Sequence, residues 1–365
     1  MKPVGIGFIG CGNISPAYLT AAKGFPILDI VALADANPAA AEARAGEFGL
    51  RARSIEAILA DPKVEIVVNL TVPKAHVEVG LQAIAAGKHV HSEKPLGVTV
   101  AEARKLIAAA DARGVRVGCA PDTFLGGAHQ TARKLIDEGA IGRPIGGTAF
   151  FLCPGHESWH PNPGFYYLSG GGPMLDMGPY YVTDLVNLLG PVARVSGMAT
   201  RLRSERSITS EPLKGTRIPV EVATHVTGTL EFVAGAVVTV AMSFDVPQHK
   251  HAPIEIYGDK ASLLVPDPNY FGGVIEIAGP REEWRVVATE HAYADGNYRS
   301  IGIADMAQAI RSNRPHRASG ALAFHVLEVM EAFQRSSDLG AFVTIESRPE
   351  RPGMLPVGLA AGELD

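Results

Sequence analysis

The segment Val4-Gly5-Ile6-Gly7-Phe8-Ile9-Gly10-Cys11-Gly12-Asn13-Ile14-Ser15 decides the fold of this chain. Its first six residues form an apolar run that predicts a buried strand, and the Ala-rich stretch Pro16–Lys23 behind it predicts a helix. Gly10 permits a tight turn between them, and Gly12 lets a phosphate approach the backbone at the helix N-terminus. Ser15 is small enough for helix–strand packing. The segment therefore predicts a dinucleotide-binding turn, whose cofactor contacts are expected to be Gly10, Gly12, Asn13 and Ile14.

Asp35 follows the next predicted strand, Ile27–Ala34, and lies 23 residues beyond Gly12. A carboxylate at that position accepts hydrogen bonds from the adenosine ribose hydroxyls. It also repels a 2′-phosphate, and the adjacent Ala36-Asn37-Pro38 supplies no arginine. We therefore expect NAD as the cofactor and regard NADP as the weaker candidate. The alternative role for Asp35 is to cap the helix that begins near Pro38.

Strand-like and helical segments alternate through residues 1–122, which predicts an NAD-binding α/β Rossmann domain with a parallel sheet. From residue 123 to 365 the sequence pattern changes, and segments rich in β-branched residues follow one another without regular crossover helices. This part predicts an α+β domain for substrate binding and oligomerisation, with a large, mostly antiparallel open sheet. We expect a second subunit to cover the open face of that sheet, and the chain after Arg348 to be extended or loose.

The composition disfavours several classes of protein. Lys+Arg 33 against Asp+Glu 38 gives a net charge of −5, so no basic surplus indicates nucleic acid or an anionic membrane as a partner. No apolar run approaches the roughly 18 residues that a membrane span needs. Three widely spaced cysteines, Cys11, Cys119 and Cys153, form neither a disulfide scaffold nor a zinc pattern. The N-terminus runs directly into a strand without a cleavable leader, and we expect a cytoplasmic protein.

Lys94 lies in Glu93-Lys94-Pro95, just after a short predicted strand that ends at His91. The carboxyl end of a parallel strand faces the crevice in which α/β proteins bind ligands. Desolvation and a neighbouring oxidised nicotinamide would lower the pKa of Lys94. We therefore predict that Lys94 binds a substrate hydroxyl or takes its proton, and an exposed turn lysine is the alternative.

Several motifs occur in an order seen in one family: Gly10-x-Gly12, Asp35, Thr71-Val72-Pro73-Lys74-Ala75-His76, Gly87-Lys88-His89-Val90, Glu93-Lys94-Pro95 and Gly170-Gly171-Gly172-Pro173-Met174-Leu175-Asp176. Over roughly residues 1–340 the chain thus resembles the Gfo/Idh/MocA oxidoreductases, named for glucose–fructose oxidoreductase and inositol dehydrogenase. The resemblance implies a Rossmann domain, a second domain whose sheet forms homodimers or homotetramers, and NAD(P)-dependent oxidation of sugars, cyclitols and related polyols. It also implies that Lys94 is the active-site lysine and that further cofactor contacts come from Thr71, Pro73, His76 and Glu93.

The chain departs from this family at one position. The family pattern Asp-x-Gly-x-His, in which Asp orients substrate and His is the acid/base, reads Asp176-Met177-Gly178-Pro179-Tyr180 here. Helical spacing is expected to place Asp176, Tyr180 and Asp184 on one face, with Asp176 ionised near a helix N-terminus and accepting bonds from substrate hydroxyls. Two replacements for the histidine stay open. One is Tyr180 with a pKa depressed by Lys94, and the other is a histidine of the segment 156–160.

The segment 155–163 combines polar, aromatic and proline residues and predicts a sugar-binding wall. We expect Trp159 to stack on a sugar ring, His156 and His160 to contact substrate, and His160 to be the alternative catalyst to Tyr180. A metal site is not expected, because the spacing of His156, Glu157 and His160 needs a helix and prolines follow at once. Asp122, after the fifth predicted strand, is expected to bind substrate or to cap the helix that begins near Gly126.

These observations predict an NAD-dependent dehydrogenase that oxidises a hydroxyl group of a sugar, cyclitol or related polyol. Two other functions remain as alternatives. One is a redox-neutral sugar lyase or hydrolase that holds NAD tightly, and the other is a non-catalytic NAD- or sugar-sensing protein, since a fold does not guarantee an activity.

Overall fold

The computed structural model describes residues 1–365, and its first part is an α/β domain built on a five-stranded parallel sheet. The strands are β1 Val4–Ile9, β2 Leu28–Ala34, β3 Ile66–Asn69, β4 His89–Ser92 and β5 Val117–Cys119. The helices are α1 Ser15–Ala22, α2 Pro38–Phe48, α3 Ile55–Ala60, α4 His76–Ala85 and α5 Val100–Arg113. The strand order β2-β1-β3-β4-β5 places a switch point between β1 and β3, where ligands bind in such sheets.

Alternation along β1 explains why helices cover both faces of this sheet. Ile6 and Phe8 pack against α1 and α2 on one face. Ile9 belongs to the opposite face, which packs against α4 and α5. Gly10 then makes the turn out of β1 with φ +107°, and a Cβ at this position would lie 2.5 Å from the Leu70 carbonyl group. Only glycine fits there, as the sequence predicts.

The second part is an α+β domain around a nine-stranded sheet, which confirms the predicted fold class. Its strands are β6 Pro144–Leu152, β7 Val192–Thr200, β8 Glu205–Ser207, β9 Arg217–Pro219, β10 His225–Phe232, β11 Val237–Ser243, β12 Ile254–Gly258, β13 Ser262–Val265, β14 Ile275–Ala278, β15 Arg285–Val287 and β16 Val343–Thr344. Its helices are α6 Gly127–Asp137, α7 Pro173–Asp176, α8 Gly178–Leu189, α9 Ile301–Ser312 and α10 Gly320–Leu339. The sheet order is β15-β14-β13-β12-β6-β11-β10-β7-β16, and only β6 and β11 pair in parallel, while β8 and β9 form a separate hairpin. No helix combines the length and the apolarity needed to cross a bilayer.

The last helices of the chain return to the first domain. Ile303, Met306 and Ala307 of α9 share one apolar cluster with Ile6 and Phe8 of β1. The predicted domain boundary at residue 122 stays a prediction, but the α/β domain also depends on residues after 300. The tail after Arg348 is extended, as expected, yet it is not loose: Leu355 is buried and Asp365 forms an ion pair with Arg317 at 2.7 Å.

Asp122 joins these two parts of the chain. Its side chain is 1% exposed, and its Oδ2 accepts hydrogen bonds from the backbone N–H groups of Ser300, at 3.2 Å, and Gly302, at 2.9 Å. Those groups begin α9, so the carboxylate caps a helix 178 residues further along the chain. The expected substrate contact of Asp122 is wrong, because the carboxylate is sealed against α9, and the helix it caps is not the one near Gly126.

The buried carboxyl of Asp122 is expected to make the stability of the fold depend on pH. Burial raises the pKa of Asp122 to about 6, against the opposing effect of its bonds from Gly302 and Ser300. The folded chain therefore keeps a proton that the unfolded chain releases above about pH 4, so this group stabilises the fold less as the pH rises from about 4 to about 6. Asp122→Asn keeps an acceptor oxygen and removes this dependence. Chemical denaturation of both proteins across that range tests it, and parallel curves would contradict it.

Candidate active site

A cleft of about 1030 Å³ opens at the carboxyl ends of β1 to β4 and continues to the second domain. Turns after these strands form one side of the cleft, and the segment after β6 and the start of α8 form the other. The cleft brings together most of the residues that the sequence predicts for the site: Gly10, Gly12, Asn13, Ile14, Asp35, Thr71, Pro73, His76, Glu93, Lys94, His156, Trp159, Asp176 and Tyr180. Asp122 and His160 are not among the residues that line it.

The glycine turn after β1 has the open approach that a phosphate needs. A Cβ added to Gly12 would meet no protein atom within 4 Å, so packing inside the protein does not require glycine at this position. The Ser15 hydroxyl donates to the Gly12 carbonyl at 2.8 Å and fixes the turn against the start of α1. A turn of this kind, with free space beside a helix N-terminus, fits the pyrophosphate of a dinucleotide.

Asp35 is held rigidly at the end of the cleft expected to bind adenosine. Its Oδ2 accepts from the Cys11 N–H at 2.7 Å, and its Oδ1 accepts from the Asn37 N–H at 2.8 Å. Each oxygen keeps a further lone pair for a ribose hydroxyl. Asn37, and not Asp35, caps α2, since its side chain accepts from the Ala39 N–H. Arg44 belongs to no motif that the sequence offers, yet α2 brings its guanidinium to within 3.4 Å of the Gly12 carbonyl oxygen.

Two buried side chains brace the strand ends at the middle of the cleft. The ring nitrogens of His76 lie 2.7 Å from the Pro95 carbonyl oxygen and 3.0 Å from the Thr71 carbonyl oxygen, so this ring ties the turn after β3 to the turn after β4. Glu93 accepts from the Tyr18 hydroxyl of α1 at 2.7 Å and from the Lys94 N–H at 2.8 Å. Both side chains therefore fix the backbone that carries Lys94, and their contact with a cofactor stays a prediction.

An ion pair between the two domains lies at the far end of the cleft. The Lys94 ammonium donates to Asp176 Oδ1 at 2.8 Å and to the Asp176 carbonyl oxygen at 2.7 Å. Burial lowers the pKa of Lys94, but the charges of Asp176, Tyr180 and Glu93 outweigh it and leave this pKa above its ordinary value. Burial likewise raises the pKa of Asp176, but Lys94 and His156 outweigh it and bring this pKa down to about 2. Within the chain Lys94 is thus held as an ammonium, and the lowering of its pKa by an oxidised nicotinamide stays a prediction.

Tyr180 presents the face of its ring to this ammonium. Lys94 Nζ lies 5.3 Å from the ring centroid, which is a cation–π geometry. Burial raises the pKa of Tyr180 and outweighs the opposite effects of Lys94 and Arg299. Lys94 thus lowers the pKa of Tyr180 as predicted, but burial outweighs it, so the predicted net depression is wrong and the phenol keeps its proton.

The expected alignment of three side chains on one helix face does not form. Asp176 ends the short helix α7, Met177 separates it from α8, and Pro179 lies in the first turn of α8. Asp184 points away from the cleft, where its Oδ2 lies 2.8 Å from Nδ1 of the fully buried His129. The break at Met177 explains why spacing alone misplaces Asp184.

The segment after β6 brings His156, and not His160, to the ion pair. The imidazole of His156 is 8% exposed, and its Nε2 lies 3.5 Å from Asp176 Oδ2 without a hydrogen-bond partner in the protein. His160 turns back on its own segment. Its Nδ1 accepts from the Asn162 N–H at 3.0 Å, and its ring packs edge-on against Phe165 at 5.4 Å. The structure therefore does not place His160 where it contacts a ligand in the cleft.

Aromatic rings form the outer wall of the cleft. Trp159 lines it and is 61% exposed, as a stacking platform requires. Phe165 and Tyr166, which were not predicted from the sequence, line the same wall with their ring centroids 4.1 Å apart. The apolar residues around them in the sequence show no periodicity that would distinguish the wall of a cleft from a buried core. Glu157 does not join the two histidines as a metal ligand, because its carboxylate accepts from Arg206.

Both halves of the chain match models of one family. Residues 4–120 match the model described as "Oxidoreductase family, NAD-binding Rossmann fold", and residues 129–264 match the "GFO/IDH/MocA C-terminal domain". These two ranges contain the glycine turn, Asp35, Lys94, His156 and Asp176. The features that define the cleft therefore lie inside the matched regions.

Two characterised relatives illustrate the similarity. The chain is 25% identical over 291 residues to levoglucosan dehydrogenase of Pseudarthrobacter phenanthrenivorans, a match that covers 72% of this chain and 74% of that enzyme. It is 34% identical over 177 residues to 1,5-anhydro-D-fructose reductase of Ensifer adhaerens, a match that covers 47% of this chain. The second match spans only 52% of the reductase, about half its length.

Solved structures share the whole architecture. Levoglucosan dehydrogenase in complex with NADH superposes with a TM-score of 0.82 at 23% identity, covering 95% of this chain and 100% of that one. An oxidoreductase domain protein from Kribbella flavida superposes with a TM-score of 0.80 at 25% identity, over 95% of this chain. The order of the two matched models, the shared architecture and the motifs of the cleft agree: this chain belongs to the Gfo/Idh/MocA family of oxidoreductases.

Proposed function

We propose that this protein is an NAD-dependent dehydrogenase that oxidises a hydroxyl group of an uncharged sugar, cyclitol or related polyol. The observation that carries the proposal is the Lys94–Asp176 ion pair, which shares one cleft with a dinucleotide-type glycine turn. An ammonium and a carboxylate held side by side offer a donor and an acceptor to neighbouring hydroxyl groups. The names of the relatives, among them levoglucosan dehydrogenase and inositol 2-dehydrogenase, are consistent with such a substrate.

NAD⁺, when bound, supplies the redox chemistry by accepting a hydride from a carbinol carbon. The turn at Gly12, with Asn13 and Ile14, would hold its pyrophosphate, and Asp35 would bind the adenosine ribose. Thr71, Pro73, His76, Glu93 and Lys94 line the remainder of the cleft and would surround the nicotinamide end. The fixed carboxylate of Asp35 supports NAD over NADP, because it would face a 2′-phosphate with like charge.

The substrate end of the cleft favours a neutral ligand. Lys94 is the only lysine among the residues that line the cleft, which include no arginine, and Asp176 already compensates its charge. A phosphate or a carboxylate on the substrate would therefore find no uncommitted cation. Trp159 and Tyr166 provide apolar ring faces against which the C–H face of a carbohydrate packs. These features together support an uncharged polyhydroxylated ring.

We also propose that the enzyme is a homodimer or homotetramer that assembles through the open face of the nine-stranded sheet. A row of small residues crosses the centre of this face in register, where Thr148 pairs with Thr239, Thr239 with Thr229, and Thr229 with Ser196. Met198, two residues from Ser196, is 72% exposed on the same face. The short, uncharged side chains of this row, bordered by the Arg194–Glu231 ion pair, are suited to pack against the same surface of another subunit.

A reducing, cytoplasmic location is likewise part of the proposal. The three thiols Cys11, Cys119 and Cys153 are unpaired in the structure. Oxidising compartments favour paired cysteines, whereas cytosolic proteins keep their thiols reduced. The fold also disfavours a disulfide between these cysteines, because Cys11 and Cys119 are both buried.

Lys94→Ala is expected to reduce turnover at least about 100-fold, because the hydroxyl oxygen loses the ammonium that stabilises its developing negative charge. The assay is NADH formation from NAD⁺ with a panel of aldoses, alditols, inositols, anhydrosugars and glycosides. Lys105→Ala, an exposed lysine on α5, is the matched control and keeps the wild-type rate. Wild-type turnover in Lys94→Ala would refute the role of Lys94. Bound NAD without NADH formation from any of these compounds would favour the redox-neutral lyase, the hydrolase or the sensor.

Asp35→Ala is expected to raise the dissociation constant of NAD about tenfold, because two ribose hydroxyls lose a charged acceptor. The same change reduces the discrimination against NADP, since it removes the carboxylate that faces a 2′-phosphate. Titration of cofactor fluorescence with both dinucleotides measures the two effects. Asp29→Ala, an exposed position earlier in β2, serves as the control. Tighter binding of NADP than of NAD by the wild type would overturn the cofactor assignment.

Thr229→Arg is expected to convert the oligomer into a monomer, because it buries an unpaired charge at the centre of the proposed interface. Light scattering coupled to gel filtration gives the mass of each protein. The control is Thr216→Arg, which adds the same charge at an exposed loop position. A monomeric wild type, or an unchanged mass for Thr229→Arg, would contradict assembly through this face.

A further inference from the structure

The proposed oxidation requires a side chain that accepts the proton of the substrate hydroxyl. Lys94, Asp176, Tyr180 and His156 are titratable groups at the Lys94–Asp176 end of the cleft. Tyr166 lies beside them, but burial raises its pKa to about 12, so its phenol keeps its proton. A useful general base must be unprotonated near neutral pH and must still bind a proton well enough to take it. The structure distinguishes the four groups on this basis.

Three of these groups are poorly suited to accept a proton. Lys94 is held as an ammonium, because Asp176, Tyr180 and Glu93 raise its pKa against the effect of burial. Burial raises the pKa of Tyr180, so its phenol stays protonated. Asp176 is ionised, but Lys94 and His156 outweigh its burial and hold its pKa at about 2, which makes it a very weak base.

His156 has the geometry of the missing group. Its Nε2 is buried, has no hydrogen-bond partner in the protein, and lies 3.5 Å from Asp176 Oδ2, while Lys94 occupies Oδ1. One carboxylate thus separates an ammonium from an imidazole, and both face the same cleft. A buried polar atom without a partner is costly unless a ligand completes it. Imidazole is also the side chain that exchanges protons near neutral pH.

A buried guanidinium anchors the segment that carries His156. Arg206 of β8 donates to Glu157 Oε1 at 2.6 Å and to the Pro154 carbonyl oxygen at 3.0 Å. The other end of the same guanidinium donates to the Phe244 carbonyl oxygen at 2.7 Å and to the Asp245 carboxylate at the end of β11. One side chain therefore fixes both sides of His156 to the rigid sheet.

A second contact sets the backbone of His156 itself. Its N–H donates to the Tyr167 hydroxyl at 3.1 Å, and that hydroxyl in turn donates to Glu157 Oε2. The Tyr166 ring packs against the imidazole with centroids 4.2 Å apart, and Phe244 packs on it at 4.6 Å. The position of His156 is thus determined from its backbone and from its ring, as a catalytic group requires.

We propose that His156 is the general base of this enzyme, and that Glu157 and Arg206 are positioning residues that hold it beside Asp176. The inference rests on the proposed function. In the oxidation, the hydroxyl O–H bond breaks and its proton goes to His156 Nε2. The C–H bond of the carbinol carbon also breaks, its hydrogen leaves with both electrons as a hydride that bound NAD⁺ would accept, and a C=O bond forms between this carbon and the oxygen. In the reverse reaction the imidazolium returns the proton to the alcohol oxygen.

The charged surroundings of His156 include groups from every element packed on it. From its own segment come Glu157 and His160. From the elements facing it come Lys94, Tyr166, Tyr167, Asp176, Tyr180, Arg206 and Asp245. The ammonium of Lys94 and the carboxylate of Asp176 oppose each other beside the imidazole.

His156→Gln is expected to lower kcat about 100-fold and to remove the acid-side ionisation from the profile of kcat/KM against pH, because the acceptor is lost. Binding of NADH, followed by its fluorescence, stays within about twofold of wild type and shows that the cleft is folded. His249→Gln, at an exposed histidine outside the cleft, keeps the wild-type rate and profile. In His156→Ala, added imidazole partly restores the rate, which a merely structural role does not allow.

Glu157→Gln separates positioning from proton transfer. It weakens the anchor to Arg206 and lowers kcat about tenfold, but it keeps the acid-side ionisation because His156 is still present. Wild-type kcat in Glu157→Gln would refute the anchor. If His156→Gln keeps the wild-type rate and pH profile while Lys94→Ala is inactive, the role of His156 is refuted. The proposed dehydrogenase function then still stands. An inactive wild type that binds NADH would instead refute the proposed function.

Discussion

The ammonium of Lys94 and the carboxylate of Asp176 come from different domains and meet at the floor of the cleft, where the rest of the site is arranged around their contact. The attraction between two partly buried charges must offset the loss of their hydration, and the bond to the Asp176 carbonyl oxygen helps to do so. Removing one partner leaves the other charge buried and uncompensated. The pair therefore fixes the relative position of the two sides of the cleft as well as its electrostatics.

This contact also determines which chemistry each neighbour performs. Because Asp176 holds Lys94 as an ammonium, the lysine donates hydrogen bonds and stabilises negative charge on an oxygen, but it does not take up a proton. Because Lys94 holds Asp176 as a carboxylate of low pKa, the aspartate orients hydroxyls and is a poor base. Proton exchange is left to an imidazole at the other carboxylate oxygen. The same compensation leaves no free cation for an anionic substrate.

The parts of the molecule that follow local rules were predictable from the sequence. Gly10 needs a positive φ and a close approach to Leu70, and the glycine spacing indicated that turn without any knowledge of tertiary contacts. Asp122 shows the opposite case, because its partners lie 178 residues away and only the folded chain brings α9 onto its carboxylate. The pKa values of Lys94 and Tyr180 also depend on the folded chain, since Asp176, 82 residues away, raises that of Lys94 and burial raises that of Tyr180.

A tyrosine at position 180 is compatible with the reaction if His156 accepts the proton. An aromatic ring under the ammonium of Lys94 contributes a cation–π contact, and it adds no second titratable group near neutral pH. The imidazole then has to come from another element, and a segment between strands is mobile unless something holds it. Arg206, with carboxylates from two elements and carbonyl groups on either side, supplies that rigidity. The proton acceptor thus lies on a loop and not at position 180 on helix α8. The buried guanidinium of Arg206 gives this loop the precision that a helix provides through its own backbone.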